Sequence, residues 1–459
     1  MTTLRSSASL TLLDKVNVCL QDFGDHVMHL IFDVQGVLHL ERLQQALRLS
    51  LEQHPIMAMR LEGSGLQPKW IRHTPATLAH YEFCEHHLLN GGSGNHSLQH
   101  AIDEFMLQQF DYQRVPMVKV RVIQHAARNT TSQDATHTIC IKVSCVPIDG
   151  RGFLIYVEDV LALYEKLELN PSFHPQPGTL NLRSTKALVP YFRPRDLLPL
   201  LFHGLKHQLQ DSRTAHNWQV PCVPDSAIHK RYLCHQCSPR TLQALTRFRR
   251  QQGLSFNDVL LGAYYLALHE QIQPEHQGPF CVLNTYDLRR YETDKAPHRV
   301  ANYSSFINTN VSLSAGSTLL QAARAVQDAI HQRKQHYPGI TEGPFIWPLL
   351  TFLPFGLGSR IVKFLLKHRG EKIPVFTNVG VIPVERMRFN GMPIRNVRPF
   401  APLEYPPKLT VTLATAGEVI SLSVGYSNRH FATDNMQRLF TRMEQLIQAT
   451  CTQTVTEAA

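Results

Sequence analysis

The stretch Ile139-Cys140-Ile141-Lys142-Val143-Ser144-Cys145-Val146-Pro147-Ile148-Asp149-Gly150 limits what this chain can fold into more than any other. Its first half is rich in β-branched and apolar residues and reads as a buried strand. Pro147 and Gly150 then punctuate it. Beyond the bend, Phe153, Val157, Val160, Leu161 and Tyr164 recur at helical spacing, which predicts a helix of about four turns. A strand that turns sharply into a helix points to an α/β architecture. Enzymes often expose a reactive side chain at such a bend, and the candidates here are Cys145 and Asp149.

At 459 residues the chain exceeds one ordinary core, so two domains are expected. In the first half, His29–Val34 reads as a strand and Leu38–Gln53 as a helix with Leu40, Leu43, Ala46, Leu47 and Leu51 on one face. His54-Pro55 stops that helix, because proline lacks an amide donor and disfavours helix before itself. A strand is expected over Met57–Leu61, a helix over Asp103–Phe110 and a strand over Pro116–Val122. Leu89–His96 and Asn129–Asp134 read as polar loops.

Prolines crowd Leu169–Pro224, the expected connector, although Leu197–Gln210 has a helical pattern. This divides the chain into 1–170, a connector 171–224, and 225–459. The second half restarts with a strand at Lys230–Cys237, followed by a helix with Ser238 as N-cap and Gly253 as terminator. Ser255 is expected to cap the next helix, with Asp258 in its first turn. Strands are expected at Phe280–Thr285, Asn302–Phe306, Val375–Val381, Lys408–Ala414 and Val419–Tyr426, with helices at Leu319–Gln335 and around Met436–Ile447.

Several function classes fall away. There is no apolar run long enough to cross a membrane and no signal-peptide pattern, so a cytoplasmic protein is expected. Nine scattered cysteines fit reduced thiols better than a disulfide scaffold. No basic blocks interleaved with aromatics indicate nucleic acid. The net charge of +10 suits an anionic partner, or serves solubility alone. G-x-S-x-G and Walker A motifs are absent. Cys234 and Cys237, near Cys222 and His229, make a weak zinc pattern, since a strand would point the pair to opposite faces; no metal is expected. The segment 343–369, apolar from Phe345 to Leu357 and then carrying Arg360, Lys363 and Lys367, reads as a helix pair packed on the second domain, or as a peripheral membrane contact.

The opening stretch resembles the H-H-x-x-x-D-G signature of the condensation-domain and chloramphenicol-acetyltransferase-like acyltransferase superfamily. Asp149 and Gly150 match it, while Ser144 and Cys145 stand at the two histidine positions. Other segments are similar too: Phe110-Asp111 followed by Pro116, the helix start Ser255-Phe256-Asn257-Asp258-Val259, Asp287-Leu288-Arg289 with a later Ala301-Asn302, and Thr377-Asn378-Val379-Gly380. The resemblance spans nearly the whole chain. It implies two α/β domains with mixed sheets facing each other across a tunnel. It further implies that Asp149 pairs with Arg289, that Ser144 and Gly150 shape the bend, and that Asn302, Thr377 and Asn378 line the tunnel. By the same resemblance an acyl-CoA or a phosphopantetheinyl acyl carrier protein donates and an alcohol or amine accepts, with no permanently bound cofactor; the oligomeric state stays open, a monomer being the expectation. Such chemistry serves lipid or secondary-metabolite assembly.

In the superfamily the second histidine is the general base, the position held here by Cys145. A thiol is a poor base at neutral pH, because its ordinary pKa is about 8.5. Three readings of Cys145 follow: a small buried residue where base chemistry is lost, an active site that uses another base, or a nucleophile that carries the acyl group itself. His137 lies eight residues back on the same strand, about 26 Å away, and cannot partner it. Any partner must come from elsewhere among the 25 histidines. If none serves, the chain is a non-catalytic relative that binds a carrier or recruits a partner enzyme.

Overall fold

The computed structural model describes residues 6–63, 67–89, 94–125, 135–180, 183, 195, 197–214, 221–223, 225, 227–272, 278–291, 299–342, 346–369 and 373–456. The expected turn at Asn129–Asp134 and, of the connector, residues 181–182, 184–194, 196, 215–220 and 224 lie outside them.

Two mixed sheets carry the fold. The first has five strands in the order Arg395–Phe400, Val27–Gln35, Thr136–Ser144, Val118–Gln124, Cys84–Leu88, with only the last pair parallel. Alternation along Thr136–Ser144 sends Ile139, Ile141 and Val143 to a core shared with the helices Leu40–Gln53 and Gly150–Leu169. The opposite face, with Ile31 and Cys140, packs under the helix Gly94–Leu107. Lys142 also lies on that face and is fully buried. Its ammonium donates to the carbonyls of Phe105 (2.9 Å) and Gln108 (3.1 Å), at and just beyond the C-terminal end of that helix, where unpaired carbonyls favour a cation.

The second sheet has six strands in the order Ser304–Val311, Phe280–Asp287, Val375–Ile382, Thr410–Ala416, Val419–Ser427, Lys230–Gln236. The helices Pro239–Gln252, Phe256–Ile272, Leu319–Lys334 and Thr433–Thr456 pack on one side of it. Ser255 and Asp258 cap each other's backbone amides as expected, whereas the Ser238 side chain makes no capping bond. Both domains are therefore α/β units with mixed sheets.

The structure corrects several expectations. Pro55–Ala58 forms a 3₁₀ turn, so the strand begins only at Met59 and joins a small sheet with Ser7–Ser9 and Lys69–Arg72. The helix expected from Asp103 begins at Gly94 and ends at Leu107. The helix Leu12–Leu20 has no counterpart in the sequence reading; Thr11 and Asp14 close a capping box at its start. The helix pair Ile346–Phe352 and Phe355–Arg369 packs mainly on this N-terminal helix, through Cys19, Leu350, Phe355 and Val362, while Trp347 also packs against a second-domain cluster of Leu288, Ala301, Tyr303 and Ile340. The division at residue 225 also has an exception: Arg395–Phe400, from the C-terminal half, is an edge strand of the first sheet. The connector does contain a helix, Leu197–Thr214. Among the described residues no helix is long and apolar enough to cross a membrane.

Candidate active site between the two domains

Asp149 ends the bend and caps the helix Gly150–Leu169, its Oδ1 accepting from the Gly152 amide at 2.7 Å. Arg289, from the second domain, donates to both carboxylate oxygens, at 2.8 Å and 3.1 Å. The Tyr303 amide donates to Oδ2 at 2.7 Å. Arg289 also donates to the Ala301 carbonyl at 2.9 Å, and the Asp149 amide reaches that carbonyl at 3.3 Å. One carbonyl and one carboxylate thus tie the bend to the second domain. Burial alone would lower the guanidinium pKa, but Asp149 and Asp287 outweigh it and hold the group above its ordinary value.

Behind the bend lies a second buried ion pair that the sequence reading missed. Arg183 donates to Asp14 Oδ1 at 2.7 Å and to the Pro147 carbonyl at 2.9 Å, and Trp70 Nε1 donates to Asp14 Oδ2 at 2.9 Å. Asn17 donates to the Cys145 carbonyl at 3.3 Å. The N-terminal helix and the connector therefore also bond to the bend.

Two cavities meet at this point. An inner one of about 170 Å³ is lined by His26, His29, Cys145, Asn302 and the edge of Arg395–Phe400 among others. An outer one of about 640 Å³ is lined by Arg151, Asn257, Arg290, Lys334 and Asn378 among others. Asp149, Gly150, Thr285, Ser304, Thr377 and Val379 border both, so the two cavities share a wall at the bend. Thr377 shares a hydrogen bond with Thr285 (3.1 Å), and Asn378 donates to Asn257 at 3.3 Å. Asn302 is buried and accepts from the Ser304 amide. Ser144 borders neither cavity; its hydroxyl accepts from the Val146 amide and shapes the turn.

Cys145 is buried, and its Sγ lies 3.3 Å from Nδ1 of His26. Strand register explains the meeting. Val27 pairs with Ser144 in the antiparallel ladder, so His26 and Cys145 form the next step outward, and the Cys145 amide donates to the His26 carbonyl at 3.0 Å. Burial, reinforced by the Glu404 and Asp25 carboxylates, pushes the Cys145 thiol far above its ordinary range. The raised pKa favours the thiol over the thiolate, and the imidazole tautomer decides which of the two groups donates. Iodoacetamide at neutral pH is expected to leave Cys145 unmodified in the native protein and to label it once the chain is unfolded, as read by peptide mass. Rapid native labelling would show an ionised, accessible sulfur instead.

Burial lowers the pKa of His26, while Glu404, the Leu20 carbonyl and Asp25 act to raise it. His29 is pushed down to about 3 by burial and then by the Lys142 and Lys230 ammoniums. Both ring nitrogens of His29 are buried without a hydrogen-bond partner, and the ring packs edge-on against Tyr232.

The C-x-x-C pattern does not assemble. Cys234 packs toward the first sheet and Cys237 into the second core. Among the described residues, only His235, Cys237 and Glu444 bring three metal-capable atoms together, and Glu444 is already bonded by His235, Ser238 and Thr241.

No protein-family model and no curated protein matches the chain. Solved structures do. TRI3 trichothecene 15-O-acetyltransferase from Fusarium sporotrichioides is 14% identical, with a TM-score of 0.74 over 97% of this chain and 95% of that one. The first condensation domain of the calcium-dependent antibiotic synthetase is 15% identical, with a TM-score of 0.71 over 97% and 96%. Polyketide synthase associated protein 5 from Mycobacterium tuberculosis is 14% identical, with a TM-score of 0.66 over 96% and 98%. The chain therefore has the two-domain, chloramphenicol-acetyltransferase-like fold that these condensation and acyltransferase structures share.

Proposed function

We propose that the protein transfers an acyl group from a thioester to an alcohol or amine, the two meeting at the Asp149 bend. One observation carries this reading: two cavities share a wall at a bend held by Asp149 and Arg289, and an imidazole and a thiol line one of them. The reaction needs a base to take the acceptor's proton and a site that holds both reactants in line. Asp149 serves architecture, since all its bonds go to the protein frame. The outer cavity carries Arg151, Arg290 and Lys334, which suit the phosphates of acyl-CoA or of a phosphopantetheinyl carrier. The inner cavity, with its apolar lining of Met28, Phe153, Leu154 and Phe306, suits the acyl chain or the body of the acceptor.

A second reading rests on Cys145. Its thiol is no base, and a site stripped of base chemistry would bind a carrier without turnover. The protein is tested with acyl-CoA and acyl-carrier thioesters against panels of alcohols and amines, reading thiol release and ester or amide by mass. Acceptor-dependent release is the expected result. Carrier binding without release across the panel would favour the second reading. The buried, protonated sulfur also predicts no acyl adduct on Cys145 in intact mass spectra.

A further inference from the structure

We infer that His26, from the strand beside the signature, is the base that takes the acceptor's proton at this site. The inference rests on the acyl-transfer reading and deepens it. The signature lacks both histidines, yet an imidazole carried by a different segment stands beside the second of those positions, Cys145. His26 stands one residue before the strand Val27–Gln35, opposite Cys145, and lines the inner cavity together with Asp149 and Gly150. Its Nδ1 faces Cys145 Sγ at 3.3 Å. A thiol is a weak hydrogen-bond donor, so the O–H or N–H of an acceptor entering there displaces it readily.

Burial lowers the ring's basicity on balance, and three neighbours offset part of that. The Leu20 carbonyl is an acceptor only and favours a proton on the ring. Asp25 on its own segment and Glu404 across the inner cavity favour the imidazolium formed during transfer, while Lys408 opposes it. Both carboxylates are themselves held by lysines: Lys230 meets Asp25 at 2.6 Å and Lys408 meets Glu404 at 3.6 Å. His29 also lines this cavity, but burial, with Lys142 and Lys230 adding to it, holds it neutral, which suits a hydrogen-bonding role better than that of a base.

The step balances. The acceptor oxygen or nitrogen bonds to the thioester carbonyl carbon as its proton passes to the His26 ring. The carbon–sulfur bond then breaks, and the departing thiolate takes that proton back. Neither an oxidant nor a further reactant is needed.

The test compares wild type with His26→Gln and His26→Ala, using a thioester and an acceptor that the wild type turns over. Both variants are expected to lose about 10²–10⁴-fold in kcat/KM, the range typical of a removed general base. Circular dichroism and thermal unfolding check that they fold. The wild-type rate should rise with pH through an imidazole ionisation that both variants lack. Added imidazole should restore part of the rate to His26→Ala and none to wild type. An active wild type with His26→Gln within threefold of it and an unchanged pH profile would overturn this inference alone. A wild type silent toward every thioester would overturn the acyl-transfer reading, and this inference with it.

Discussion

Arg289→Met is expected to cost about 3–5 kcal/mol of stability and to abolish acyl transfer, because it leaves a buried carboxylate without its cation. The Asp149 side chain is only 6% exposed and that of Arg289 only 14%, so solvent screens the pair little. The lost bonds also reach the backbone, since Arg289 donates to the carbonyls of Ala301 and Arg299. Urea unfolding read by far-ultraviolet circular dichroism checks the size of the loss. Asp149→Leu combined with Arg289→Met should cost less than the sum of the two single changes, because no charge is then left buried alone. An Arg289→Met variant as stable as wild type would mean that the pair does not hold the domains together.

Gly152→Ala should cost about 1–3 kcal/mol by overpacking, at a position where a methyl group looks harmless in sequence. Gly152 sits in the first turn of the helix Gly150–Leu169. A Cβ there would lie 2.8 Å from the Ala301 carbonyl oxygen and 3.2 Å from its nitrogen. Both atoms are backbone, so no side chain can swing aside. That same carbonyl accepts from Asp149 and Arg289, and displacing it loosens the tie between the domains. The effects of Gly152→Ala and Arg289→Met should therefore fall short of additive, which a double-mutant cycle in urea reads directly. Full additivity would show that the two residues brace separate parts of the structure.

Much of this site could be read from residue types and spacing, because its signals are local. Cys140–Val143 carries β-branched residues that suit a strand, Pro147 and Gly150 mark the bend, and Phe153 to Tyr164 repeat at helical spacing. Asp149 and Arg289 were paired through the resemblance, and they meet in the structure. His26 was missed because Gly24-Asp25-His26 has no periodicity and no motif of its own. Only the ladder register, Val27 opposite Ser144, sets it beside Cys145. Once two strands are taken as antiparallel partners, that step follows, but the partnership itself is a long-range contact. The same holds for the helix pair 346–369: its apolar residues show that it is covered, not that Cys19 and Val16 do the covering. Asp14, Trp70 and Arg183 share that limit, since a buried ion pair leaves no spacing pattern when its members come from three separate segments.

The edge strand Arg395–Phe400 has a consequence for how this protein is made. Its partner Val27–Gln35 leaves the ribosome some 360 residues earlier, a delay on the order of twenty to seventy seconds at ordinary rates of synthesis. Throughout that interval one side of the nascent first sheet presents unpaired amides and carbonyls, the kind of edge that recruits other chains or a chaperone. A fragment ending near residue 225 would carry that open edge permanently, so the N-terminal half is expected to aggregate when expressed alone.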